Sequence, residues 1–378
     1  LGCGEGKNLS LKGFPFPEFK AFKLKKENKM MKRQVAVVTG KGEVKMVSEK
    51  LPDLKEHEVL IKVHASLISP GTEIASVVEL RKTPDLKAAD RVFGYANAGE
   101  IIKVKGDVKG LKAGMRVAAM GGTGAHHANY ANVPVNMVVP IPDCVSYEQA
   151  VYACLGATSL QAIRRTVPEL GEYGIVLGLG IVGNLAAQLA QLSGARVVGW
   201  DGFDSRIKTA KKCGIRNFVN FKTQNSVEET KKFVTPYGAD FAIFAFGGEA
   251  TAAFESVKSC MKVSADTHAM GRIVLVGGCK INVGGGAYSG NLDIRAASRT
   301  GAGYKDMEYE YGRDYPAAFV QFTTQRNLRE IIQLIAEKRL IVDPMTTHCM
   351  PLKDVGKAAD LLIEHPDKAL GIVLEMSI

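Results

Sequence analysis

Residues 174–192 read GIVLGLGIVGNLAAQLAQL, and the reading of this stretch decides the fold. It opens as an apolar run of strand length, passes through Gly178, Gly180 and Gly183 in the spacing G-x-G-x-x-G, and continues with apolar residues at helical spacing. A strand, a glycine turn and a helix in that order have a mechanism. Gly178 permits the tight turn, Gly180 lets the backbone approach a pyrophosphate, and Gly183 allows the helix to pack closely on the strand. The helix N-terminus then turns unpaired N–H groups and its dipole toward the phosphates. A glycine triplet alone also marks ordinary turns, so the next strand matters. ARVVGWD ends in Asp201, eighteen residues after Gly183. A carboxylate there binds both ribose hydroxyls of NAD and repels the extra phosphate of NADP. Arg206 lies close by in sequence and can neutralise such a phosphate, which keeps NADP as the lesser alternative.

Outward from this stretch the chain changes character twice. Up to about residue 145, short apolar or alternating runs such as QVAVVTG, EVLIKVHASLI, GEIIKV and RVAAM are bounded by Gly, Pro and charge, which predicts a β-rich barrel or curled sheet. From SYEQAVYACLGATSLQAIRRT onward strands and helices alternate through NFVNF, VEETKKFVT, FAIFAF, ATAAFESVKSC and GRIVLVGG, which predicts βαβ units and a parallel sheet. A polar, tyrosine-rich stretch, YKDMEYEYGRDYP (304–316), interrupts that order before two further helices and a closing strand, GIVLEM. The fold class is therefore α/β. There is no internal repeat.

Composition narrows the function classes. A hydrophobic fraction of 46% with 23% charged residues is that of an ordinary globular protein. No apolar run reaches the roughly 18 residues of a membrane span, and residues 1–30 lack the pattern of a secretory signal. Of the net charge of +10, +4 falls within residues 1–30, and the remaining lysines are scattered among acids without interleaved aromatics. Nucleic acid and membrane are accordingly not expected as partners. The seven cysteines are widely spaced and form no C-x-x-C pair, which argues against a disulfide framework and a structural zinc lobe and suits a reducing cytoplasm.

The order of a β-rich first half, a dinucleotide-binding middle and a return at the end, with GEIIKVKGDVKGLKAGMRVAA and NVPVNMVVPIPD, resembles the medium-chain dehydrogenase/reductase superfamily over residues 32–378. The resemblance implies a GroES-like catalytic domain over 31–160 and 304–378, a Rossmann-type coenzyme domain over 161–303, a cleft between them, and an extension over 1–30. The composition of that extension does not decide between a cloning remnant and a partner-binding arm. The resemblance also implies cofactor contacts from Ile181, Val182, Phe246, Gly277 and Ser298. Relatives commonly dimerise through edge strands of the coenzyme domain, and GRIVLVGG with NLDIRAA is the expected edge.

Zinc-dependent members carry Cys-Gly-(Thr/Ser)-Asp, Gly-His-Glu and a further Cys as their metal motifs. The matching positions are Pro70-Gly71-Thr72-Glu73, Gly94-Tyr95-Ala96 and Cys154. Proline has no donor atom and a neutral phenol is a poor ligand, so a zinc-free member is expected. Cys154 reads as a small packed residue. On the resemblance, Thr72 occupies the proton-relay hydroxyl and Tyr95 points to the vacated metal position, and these two are the expected catalytic pair. The plainer reading makes Pro70-Gly71 a type II turn with Glu73 at a helix N-terminus, and Tyr95 a filler. Glu73, His127, Arg299, Tyr304 and Arg313 are the expected substrate contacts. His126 and His127 are read as adjacent strand residues facing opposite ways.

SPGTE and SRTGAGYKD resemble zinc-free, alcohol-dehydrogenase-like relatives that act on sugars or cyclitols, and SPGTE also resembles a stretch of a chlorophyllide side-chain dehydrogenase. The leading expectation is an NAD-dependent oxidoreductase of a secondary alcohol. A zinc-free enone or quinone reductase and a dinucleotide-binding protein without turnover are the alternatives.

Overall fold

The strand Glu58–Leu67, EVLIKVHASL, is buried almost throughout because both of its edges are paired. One edge pairs antiparallel with Ala96–Lys105. The other is shared by Tyr130–Pro134, opposite Glu58–Lys62, and by the closing strand Gly371–Glu375, opposite Ala65–Leu67. The last strand of the chain thus completes a sheet begun by the third. That sheet runs Thr346–Pro351, Gly371–Glu375, Glu58–Leu67, Ala96–Lys105, Arg116–Met120, Val138–Pro140. A smaller antiparallel sheet is built on Lys32–Val38, flanked by Val44–Lys50 and Arg91–Val92. These relations come from a computed structural model that describes residues 31–376, so the expected extension over 1–30 lies outside the described residues.

The middle of the chain forms a second sheet. Its order is Asn217–Asn220, Arg196–Asp201, Tyr173–Leu177, Phe241–Phe244, Ala269–Val276, Asn291–Ala297, these neighbours parallel, with the short strand Lys262–Val263 added antiparallel to the start of Ala269–Val276. The strand order reverses beside Tyr173–Leu177, whose carboxyl end therefore opens on a crevice where ligands bind in such sheets. Tyr173–Leu177 and Phe241–Phe244 are short, apolar and buried, as strands covered on both faces must be. The helix Ala153–Thr166 runs through the expected boundary at 160/161 and is buried at ten positions. It packs on Ile181–Leu192 and Thr324–Ala336, close enough that a Cβ at Gly156 would stand 2.6 Å from Ile331.

Three local expectations are corrected. GRIVLVGG is not an edge: Ala269–Val276 lies between Phe241–Phe244 and Asn291–Ala297, so NLDIRAA alone borders the sheet there. Pro70-Gly71 is not a type II turn, because Gly71 has no positive φ; Pro70–Ile74 is a π-helical turn leading directly into the helix Ala75–Lys82. His126 and His127 do not alternate on a strand, since they lie in the irregular connection between Arg116–Met120 and Tyr130–Pro134.

Candidate active site

The glycine turn has the features its spacing predicts. Gly178 has φ +85°, and a Cβ at Gly183 would stand 1.7 Å from the Gly178 carbonyl oxygen, so the helix Ile181–Leu192 can approach only without a side chain there. At Gly180 a Cβ would meet nothing within 4 Å, leaving open space where phosphates approach the backbone. Ser159 Oγ donates to the Val182 carbonyl at 2.9 Å, tying this turn to the helix Ala153–Thr166. A cavity of about 300 Å3 runs from here, lined among others by Ile181, Val182, Phe246, Gly277 and Arg206. A second, of about 430 Å3, is bordered by Asp201, Phe203, Arg206 and Lys222. Together they fit a dinucleotide.

Asp201 is 3% exposed. Its Oδ2 accepts the Leu179 N–H at 2.7 Å and its Oδ1 the Phe203 N–H at 2.9 Å. A carboxylate has about four acceptor sites, so two are left for ribose hydroxyls. The Arg206 guanidinium stands 3.8 Å from Asp201 Oδ2, over the Phe203 ring, and donates to the Pro366 carbonyl at 3.3 Å. It borders both nucleotide cavities.

Beyond the nucleotide cavities lies a third, of about 530 Å3. Thr72 and Tyr95 border it and the 300 Å3 cavity alike, and so form a shared wall. The π-helical turn carries Thr72, and the segment entering the strand Ala96–Lys105 carries Tyr95. The Tyr95 hydroxyl lies beside those of Ser69 and Thr72. Burial pushes its pKa well above the ordinary value of 10, and Cys154 and Glu73 add to this. Tyr95 is therefore a proton donor rather than a phenolate. Cys154 lies behind it, buried, its thiol pushed up by burial and then by Glu73. Among the described residues no group of three His, Cys, Asp or Glu side chains is placed to hold a metal ion. The three family ligand positions hold Pro70, Tyr95 and Cys154; proline has no donor atom and a phenol is a poor ligand, so this donor set does not fit zinc.

Glu73 also borders the 530 Å3 cavity. Its Oε2 accepts the Ser69 N–H at 2.7 Å, and its Oε1 stands 3.3 Å from His127 Nε2. His127 is fully buried behind Glu73, borders none of the three cavities, and holds Ser66 Oγ at 2.9 Å through Nδ1. Gly94 is required at this point: a Cβ would stand 2.2 Å from the His127 nitrogen.

The tyrosine-rich stretch divides. Tyr304 and Lys305 line the 530 Å3 cavity. Arg299 is exposed and lies over the Tyr304 ring, Arg313 pairs with Glu308 on the surface, and Ser298 is exposed; none of these three borders a cavity of the site. Tyr309 and Tyr315 stack on each other, and Tyr311 donates to Glu58 at 2.8 Å. Sequence reasoning passed over Arg91, Thr123 and Lys305 at the cavity. Thr123 and the Lys305 N–H both donate to the buried carboxylate of Glu310, at 3.0 and 2.8 Å. Their only sequence signal was proximity to glycine-rich turns.

Comparison with known proteins agrees with this architecture. The model of the alcohol dehydrogenase GroES-like domain matches residues 55–143, and that of the zinc-binding dehydrogenase family matches residues 182–301. The chain is 25% identical over 350 residues to the sorbitol dehydrogenase of Mus musculus, covering 85% of this chain and 90% of that one. It is 28% identical over 213 residues to prostaglandin reductase 1 of the same species, covering 55% of this chain and 61% of that one. A crystal structure of an oxidoreductase/dehydrogenase of unknown specificity from Escherichia coli superimposes with a TM-score of 0.74 at 19% identity, over 92% of this chain and all of the other. With both domain types matched in order and the crevice between the two sheets in place, the chain belongs to the medium-chain dehydrogenase/reductase superfamily of oxidoreductases.

Proposed function

We propose that the protein is an NAD-dependent oxidoreductase that moves hydride between a secondary alcohol of the sugar or polyol class and the nicotinamide, without zinc. The observation that carries this reading is the shared wall: Thr72 and Tyr95 border the nucleotide cavity on one side and the 530 Å3 cavity on the other. NAD, when bound, supplies the hydride acceptor. The chain's own residues then have to hold the substrate oxygen. The Thr72 hydroxyl and the protonated Tyr95 phenol can both donate to that oxygen, and a fixed donor stabilises the negative charge developing there, which is the task of a Lewis-acid metal. Thr123, Ser76, Arg91 and Lys305 offer further polar contacts, which suits a substrate with several hydroxyls. The likeness to a sorbitol dehydrogenase supports the same class. Asp201, buried with two acceptor sites left, supports NAD over NADP.

A protonated Tyr95 equally suits the enolate oxygen formed when hydride adds to an enone, and the likeness to a prostaglandin reductase supports that second reading. One assay separates them. Chelator-treated protein is followed by nicotinamide absorbance, with NAD and a panel of polyols, and with NADH or NADPH and enones. NADH formed from a polyol supports the first reading. Turnover with enones alone, or only after zinc is restored, refutes it.

A further inference from the structure

A secondary alcohol releases a proton as well as a hydride, and the groups nearest the shared wall do not readily take it. Burial holds the protons of Tyr95 and Cys154 in place, and a threonine hydroxyl only passes a proton along. We propose that the buried Glu73–His127 pair is the proton acceptor of the site, acting one step behind the Thr72 hydroxyl; this rests on the oxidoreductase reading above.

Three observations carry the inference. The first is the pair itself. Glu73 is 7% exposed and His127 not at all. Glu73 Oε1 and His127 Nε2 face each other at 3.3 Å, and neither atom has a hydrogen-bond partner among the described residues. A carboxylate oxygen and an imidazole nitrogen this close, away from water, interact electrostatically, so a proton arriving on one is felt by the other. The second is position. Glu73 shares the π-helical turn with Thr72, borders the 530 Å3 cavity, and is close enough to Tyr95 to act on its phenol. The third is cost. Burying two polar atoms without hydrogen-bond partners is destabilising, so stability gives no reason for placing the pair at this wall.

The step balances as follows. In oxidation the C–H bond breaks and its hydride passes to NAD, which is reduced. The O–H proton passes to the Thr72 oxygen as that hydroxyl gives up its own proton, which comes to rest on the Glu73–His127 pair while the carbonyl forms. Ketone reduction runs the same path backward. Glu73 is the acceptor and His127 the positioning residue. The other titratable groups facing the pair are Tyr95, Cys154 and His126.

Kinetics and NMR test this. Glu73→Gln keeps the shape and the acceptor for the Ser69 N–H, so nucleotide binding and KM should hold while kcat falls about 100-fold or more. Formate should restore turnover to Glu73→Ala, and His127→Gln should change the solvent deuterium isotope effect on kcat. Independently of turnover, the nitrogen NMR resonances of His127 should move when Glu73 becomes Gln, since the charge of the carboxylate facing Nε2 is lost. A kcat for Glu73→Gln within threefold of the unsubstituted protein, or unmoved His127 resonances in a folded variant, overturns the inference. Absence of NADH formation from any alcohol by the unsubstituted protein refutes the alcohol-oxidation reading, and the His127 resonances still decide whether Glu73 and His127 are coupled.

Discussion

Replacing the second and third glycines of the turn by alanine should separate folding from nucleotide binding. At Gly183 the added Cβ would stand 1.7 Å from the Gly178 carbonyl oxygen and 3.1 Å from the Ala245 Cβ. Real Cβ atoms essentially never come within 3.0 Å of a heavy atom, so helix and turn must part by more than an ångström against backbone rather than a flexible side chain. Overpacking of this kind costs about 1–3 kcal/mol or more. At Gly180 the added Cβ meets nothing within 4 Å, and φ −62° with ψ −175° is ordinary backbone for alanine. The ligand-free Gly180→Ala protein should be as stable as the parent, or gain about 0.4–1 kcal/mol from a stiffer unfolded chain. Its methyl group, however, fills the place a pyrophosphate needs. Losing one charged hydrogen bond there costs about 1.5–3 kcal/mol, which weakens NADH binding about 10- to 100-fold. Thermal unfolding without ligand and fluorescence titration with NADH read the two effects. Gly183→Ala should lower Tm; Gly180→Ala should leave it and raise Kd. Parental NADH affinity in Gly180→Ala would refute the placement of the phosphates on this turn, and a parental Tm in Gly183→Ala would refute the close packing.

The remaining predictions address coenzyme choice, the donor and the acid limb of stability. Asp201→Asn removes the charge that repels a 2′-phosphate while Arg206 and Lys222 stay at the cavity; the NADP-to-NAD ratio of kcat/KM should rise about tenfold or more, and an unchanged ratio would show that Asp201 does not face the ribose. Tyr95→Phe keeps the packing and loses the donor, so kcat should fall about 10- to 1,000-fold with unfolding little changed; full activity would make Tyr95 a filler. Burial pushes the His126 imidazole down to about 4 from 6.5. Because the folded value is depressed, His126 contributes fully above pH 6.5, and that contribution, about 3 kcal/mol at most, is lost as pH falls toward 4. Denaturant unfolding at pH 7.5 and 4.5 should therefore show a smaller acid loss in His126→Gln; an equal loss would refute the assignment.

How much could be read beforehand depended on whether the signal was local. The dinucleotide turn was legible because each glycine answers a constraint set within a few residues: a positive φ at Gly178, an open approach at Gly180, a close packing at Gly183. The β-rich and alternating regions were legible through periodicity, since burial on one or both faces imposes it directly on sequence. Thr72 and Tyr95 were reached only through a family resemblance, because no local pattern marks a residue as bordering a cavity.

Other features had no local signal. Whether a strand lies inside a sheet or on its edge is set by neighbours from elsewhere in the chain, and so GRIVLVGG was misplaced. The partner of Glu73 is 54 residues away in sequence, at His127. Burial of Tyr95 turns a phenol with an open protonation state into a fixed donor. Arg299, Arg313 and Ser298 carry suitable chemistry but border none of the site's cavities, while Lys305 and Thr123 are brought to one by a buried glutamate. Sequence by itself determined which elements form and that the turn at 178–183 has the geometry of a dinucleotide turn, because those depend on short-range geometry. Tertiary structure alone decided which side chains share a cavity, which are buried, and which hold a proton, because desolvation and pairing arise only when distant segments meet.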